Sequence, residues 1–193
     1  RLSPRPDTVG RRLAVLRRLA GTSDQPAPRV VVAHVRSLLQ PQVADLGNIL
    51  PVELAVGQTV DMDDVARSLV DAAYVRVDLV GRRGEFAVRG GIIDVFPPAS
   101  EHPVRADFFG DEIEDLRYFA VADQRTFGDQ LREATAFPCR ELLLTPQVRQ
   151  RAHDLANTDH MPGALVEMCD KIAEGHAVEG MESLSAVLAD RLE

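Results

Sequence analysis

GRRGEFAVRGGIIDVFPPASEHPVRADFFGDEIEDLRYFAVADQRT, residues 81–126, alternates apolar and polar side chains in segments of five to seven punctuated by Gly or Pro. That is the pattern of short strands joined by tight turns. The first strand is expected at 84–89, with Phe86 and Val88 on one face and Glu85, Ala87 and Arg89 on the other. Gly90-Gly91 permits a tight reversal, because residues without Cβ take positive φ at little cost. A second strand, 92–96, is closed by Pro97-Pro98, which cannot continue a ladder. A third runs over 104–109, and Gly110-Asp111 turns the chain into a fourth at 113–119.

The third strand carries a conflict. Side chains alternate across a strand, so Val104, Ala106 and Phe108 share one face while Arg105, Asp107 and Phe109 share the other. The small-to-large apolar set claims the core. Phe109 is then left on the face of Arg105, roughly 13 Å from it at 3.3 Å per residue. An aromatic beside an arginine on a solvated face has the composition of a binding hot spot. A second layer, such as a helix covering Phe109, accounts for the same pattern.

Upstream, 52–56 reads as a strand. Asp61 is placed to cap a helix over 62–73, with Asp63 and Asp64 favourable in its first turn and Val65, Leu69 and Ala72 or Ala73 as its apolar stripe. Another strand follows at 74–79, and a last one is expected at 131–137. One helix beside four to six mostly antiparallel strands makes a two-layer α+β domain over residues 51–138. Before it, residues 1–50 offer a helix from 7 or 8 to 20, with Val9, Leu13, Leu16 and Leu19 or Ala20 on one stripe. Arg11, Arg12, Arg17 and Arg18 line the other faces of this helix as a solvated basic surface. The apolar run Arg29-Val30-Val31-Val32-Ala33 suits a buried parallel strand, with a short helix over 34–40. Residues 139–193 are mainly helical: Thr145 and Pro146 start a helix to about 156, and further helices are expected at 164–174 and 181–191.

Composition narrows the function. The 193 residues carry a net charge of −8, and hydrophobic residues make up 45%. Residues 1–36 hold eight arginines against Asp7 and Asp24, so the remainder is strongly acidic, which argues against a broad nucleic-acid surface. There is no apolar run of transmembrane length and no signal-peptide pattern. Two cysteines, Cys139 and Cys169, are too few for a disulfide framework and fit a reduced, cytoplasmic setting. The start at Arg1 rather than Met suggests excision from a longer protein. His153, His160, Cys169 and His176 are spaced seven, nine and seven apart, which matches no zinc pattern, so no metal site is expected. Asp111, Glu112, Glu114 and Asp115 flank a turn and read as a solvated, edge-blunting cluster. No GxxxxGK[ST] sequence occurs, so no phosphate-cradling loop and no nucleotide cofactor are expected.

RGGIIDVFPP, VRADFFGDEIE and FAVADQRT together resemble the second domain of the UvrB-homology module of bacterial transcription-repair coupling factors (Mfd), and UvrB more weakly. The DQRT ending and the Gly-Gly turn favour the coupling factors. The resemblance is strong over 50–138. It is looser in the flanks, which are similar to incomplete α/β (helicase-like) pieces of the neighbouring subdomains. It implies a domain that docks on UvrA, the damage-sensing ATPase of nucleotide excision repair. In the family pattern an arginine ends the first strand, and an arginine and a phenylalanine stand four apart on the third. Those positions here are Arg89, Arg105 and Phe109, with Arg82, Arg83 and Asp107 as rim candidates. The chemistry suits the role: guanidinium forks grip carboxylates in two bonds, and Phe109 fills an apolar pocket between them.

The resemblance further implies a segment that catalyses nothing itself. The ATP- and Mg-dependent DNA translocase and the RNA polymerase contact belong to other segments, and a C-terminal domain masks the UvrA surface at rest. Two alternatives stay open: a fragment of UvrB proper, or a small nucleic-acid-binding module using the N-terminal basic helix.

Overall fold

The computed structural model describes residues 3–23, 25–39 and 41–192. Gln40, the expected end of the second helix, lies outside them, as do Arg1, Leu2, Asp24 and Glu193. In chain order the elements are α1 (Pro6–Ala20), α2 (Val35–Leu39), β1 (Val52–Ala55), α3 (Met62–Asp71), β2 (Val75–Arg76), β3 (Glu85–Arg89), β4 (Ile92–Val95) and β5 (Val104–Phe109). Then come β6 (Glu112–Phe119), β7 (Thr126–Phe127), β8 (Glu133–Ala136), α4 (Pro146–Ala156), α5 (Gly163–Ala173) and α6 (Ser185–Leu188). No helix is long and apolar enough to cross a membrane among the described residues. The chain divides into two compact units, one of residues 5–14 and 50–140, the other of residues 1–4, 15–49 and 141–193.

The first unit is built on a six-stranded sheet in the order β2-β3-β4-β5-β6-β7. Only β2 and β3 run parallel; the other neighbours are antiparallel, as short turns between consecutive strands require. Register follows the alternation of the sequence. Phe86 pairs with Val95, Val95 with Val104, Ile93 with Ala106, and Ala106 with Leu116. These residues form the core on one face, with Leu54, with Val65 and Leu69 of α3, and with Ala72, which caps the end of that helix. The mixed α+β fold with one helix against a mostly antiparallel sheet is therefore the architecture of this unit. Between Asp107 and Phe108 the pairing slips: Asp107 opposes Asp115 but Phe108 opposes Ile113, so Glu114 is left over as a bulge in β6.

Asp61 caps α3, its Oδ1 accepting from the backbone N–H groups of Asp63 (2.7 Å) and Asp64 (3.2 Å). Asp61→Ala is expected to lower the stability of this unit by about 1 kcal/mol, read as a shifted urea midpoint at constant slope. The Gly90-Gly91 turn uses its two glycines differently. Gly90 has φ +58, whereas Gly91 is needed for space, because a Cβ there would stand 3.0 Å from the Phe108 carbonyl oxygen.

Several expected boundaries change. The strand over 74–79 shrinks to β2, because Tyr74 turns inward and its hydroxyl donates to the Phe137 carbonyl at 2.8 Å. The last strand, β8, pairs with β1 in a separate two-stranded sheet rather than with the main one. β7, an added edge strand, follows from the 119–126 segment folding back: Ala120 N–H donates to the Arg125 carbonyl.

In the second unit, α4 and α5 pack around Val148, Ala152 and Ile172, with Leu142, Met181 and Leu188. Thr145 caps α4 and Pro146 fills its first turn, as its sequence signature requires. The final helix is broken into a 3-10 turn, Met181–Leu184, and the short α6. The run 29–33 is not a buried strand: Val30, Val31 and Val32 are exposed, Val32 by 94%, and no strand of the described residues pairs with them. A buried parallel strand needs neighbours on both sides, and its apolar composition alone does not supply them. Nor is the basic face of α1 uniformly solvated. Arg17 is buried and donates to the carbonyls of Ile49 (2.9 Å) and Thr22 (2.6 Å).

Candidate protein-docking site

The central strands place one acidic residue where the sequence reads apolar. Asp94 lies in β4 between Ile93 and Val95, fully buried, on the face opposite the α3-covered core. A buried carboxylate must be paired or it will not stay ionised at tolerable cost. Register supplies the partner, because Arg105 of β5 stands directly across from Asp94. Arg105 Nε donates to Asp94 Oδ1 at 2.7 Å and its terminal nitrogen to Oδ2 at 2.8 Å, the two-pronged geometry that guanidinium and carboxylate share. Arg89, at the end of β3, donates to the same Oδ2 at 2.6 Å. One buried carboxylate thus holds two guanidiniums and leaves the trio with a net positive charge.

Arg105 is fixed from two further sides. Its guanidinium lies 4.9 Å from the centre of the Phe119 ring, and it donates to the Gln124 carbonyl at 3.2 Å. Gln124 adopts left-handed backbone (φ 60), and its side-chain amide donates to the carbonyls of Val80 and Val121. The DQRT segment therefore has a physical task, which is to turn a carbonyl onto Arg105. Hydrogen bonding to Asp94 pushes the Arg105 guanidinium further up from its ordinary range, against the opposing effect of burial. The Arg105 side chain retains 15% exposure and that of Arg89 42%.

Phe109 ends β5 and is 76% exposed, so no second layer covers it among the described residues. The Phe108 N–H donates to the Gly91 carbonyl at 2.7 Å, which sets the Gly90-Gly91 turn beside the end of β5. Arg89 immediately precedes that turn, so Arg89 and Phe109 stand at the same end of the sheet, with Arg105 set back toward its centre.

Of the rim candidates, Asp107 stands on β5 between Arg105 and Phe109, whereas the two arginines lie elsewhere. Arg82 and Arg83 precede the opposite end of β3. Arg83 stacks 5.0 Å over Phe96 and donates to the Ser100 carbonyl, whereas the Arg82 backbone N–H donates to Glu85. Asp107 faces Asp115 across the ladder. Burial and then the Asp115 charge push its carboxyl up from the usual range. The ionised form is therefore the one that folding disfavours, and the cost appears as pH rises through the carboxylate range. Asp107→Asn is expected to stabilise the fold at pH 7 by up to about 0.5 kcal/mol, with the difference vanishing near pH 3 in parallel melts.

Two residues of this site escaped sequence reasoning, Asp94 and Gln124. Asp94 had a readable signal: a lone acid in the run Ile92-Ile93-Asp94-Val95-Phe96 must find a cation.

Comparison with known proteins adds an independent line. Residues 52–142 match the family model described as the UvrB interaction domain. The chain is 52% identical to the transcription-repair-coupling factor of Mycobacterium bovis over 97% of its own length, and 40% identical to that of Myxococcus xanthus over 95%. It is 36% identical to UvrABC system protein B of Listeria innocua over 52% of its length. The chain spans only 16%, 15% and 15% of these relatives respectively. The coupling-factor similarity thus extends through both flanks, whereas the similarity to the Listeria protein covers about half of the chain. Residues 52–142 thus form a domain of the UvrB interaction family, within a chain that is similar along nearly its whole length to part of the transcription-repair coupling factors.

Proposed function

We propose that this chain is a protein-docking segment that binds UvrA and so recruits it during transcription-coupled nucleotide excision repair. The observation that carries the reading is the joint placement of Arg89, Arg105 and Phe109. A buried carboxylate pre-sets two guanidiniums, and an uncovered phenylalanine stands at the same sheet end. Such a surface suits an acidic-rimmed groove with an apolar pocket. Three of the five N–H donors of Arg105 are already engaged, so its free donors meet the partner in a fixed direction. Pre-setting of this kind lowers the ordering cost of association. The match of 52–142 to the UvrB interaction domain supports the same reading.

In this account the chain performs recruitment and no catalysis. The longer relatives would supply ATP-driven translocation on DNA, the RNA polymerase contact and a C-terminal masking domain from other segments.

The test is titration of UvrA with the wild-type chain and with Arg89→Ala. Arg105 keeps Asp94 paired in the variant, so the fold persists while one half-exposed guanidinium is lost. Affinity is expected to fall about fivefold to tenfold. Equal affinity in the two proteins would move the interface away from Arg89.

A further inference from the structure

The open edge of the sheet carries a cleft that the docking trio does not account for. β2 is the terminal strand, only two residues long, with Arg76 opposite Phe86 of β3. Beside it lies a cavity of about 470 Å³ lined by Arg76, Val77, Asp78, Val88 and Arg89. Arg76 also borders a second cleft of about 310 Å³ that runs toward Arg67 and Val70 of α3. Val75 and Val70 are exposed next to it, so the edge is apolar as well as charged. The Arg76 side chain makes no hydrogen bond or ion pair with any described residue. Arg89 engages Asp94 through one terminal nitrogen and lines the cleft with the rest of its side chain.

We propose that this cleft extends the docking surface and takes one acidic side chain, an Asp or Glu of the same protein partner, between Arg76 and Arg89. The inference rests on the docking reading above. Arg76, Arg89 and Arg105 against the carboxylates of Asp78 and Asp94 leave one positive charge for a partner's carboxylate, and Val77 and Val88 give it an apolar floor that strengthens the pairing. A polyanion such as nucleic acid fits poorly, because Asp63, Asp71 and Asp78 border the two clefts. Continuity comes through Arg89, which belongs to both the trio and the cleft.

The experiment titrates UvrA with the wild-type chain, Phe109→Ala, Arg76→Ala, Arg76→Lys and Arg76→Glu at low and high salt, with a melt of each variant. Arg76 is exposed, so the melts are expected to coincide. Arg76→Ala is expected to weaken binding roughly fivefold and Arg76→Glu at least about tenfold, both effects shrinking at high salt, with Arg76→Lys between wild type and Ala. Wild-type affinity for Arg76→Glu beside weakened Phe109→Ala overturns the cleft and leaves the docking site standing. Absence of binding by the wild-type chain overturns both. Loss of duplex DNA binding in Arg76→Glu with UvrA binding intact also overturns the proposal.

Discussion

Asp94→Ala is expected to cost the first unit about 3–5 kcal/mol of folding stability, measured by chemical denaturation. The carboxylate is completely buried and accepts from two arginines, and Arg105 is itself mostly buried. Removing the acid leaves the Arg105 cation over the Phe119 ring with only the Gln124 carbonyl as a hydrogen-bond partner, short of its full solvation. Arg105→Glu creates the mirror fault by setting a second carboxylate against Asp94, so its loss of partner binding cannot be separated from loss of fold. A cost below about 1 kcal/mol for Asp94→Ala would mean that the trio is not the anchor of the exposed sheet face.

Phe109→Ala is expected to do the reverse. The side chain is three-quarters exposed, so the melt should not move by more than about 0.5 kcal/mol. UvrA binding should weaken by at least about 2 kcal/mol, roughly 30-fold, as removal of a central aromatic anchor does. A melt of each chain reads the first quantity, and titration calorimetry with UvrA reads the second. Destabilisation without loss of affinity would make Phe109 a structural residue.

The contrast between these variants marks how far the sequence could be read. Strands β3 to β6 and the α3 cap followed from alternation, Gly and Pro punctuation and Asp61, all local signals. Alternation also set Arg105 and Phe109 apart from the core, but it left open whether Phe109 was covered. Coverage depends on elements distant in sequence. Pairing of Arg105 with Asp94 was hidden for the same reason, because it needs the β4–β5 register, a tertiary fact. The presence of Asp94 in an apolar strand nevertheless announced that some cation had to come. The valines at 30–32 misled in the opposite direction: composition gave strand propensity, but only sheet neighbours make a strand. Arg17 reads as one of several surface arginines, and only the carbonyls of Thr22 and Ile49 draw it inward.

The most direct measurement is hydrogen exchange of the chain with and without UvrA, resolved by peptide. The account predicts added protection in two segments, 88–92 around the Gly90-Gly91 turn and 108–112 after β5, with 146–173 unchanged. Protection confined to 146–173, or none despite binding, would contradict a docking site built on Arg89, Arg105 and Phe109.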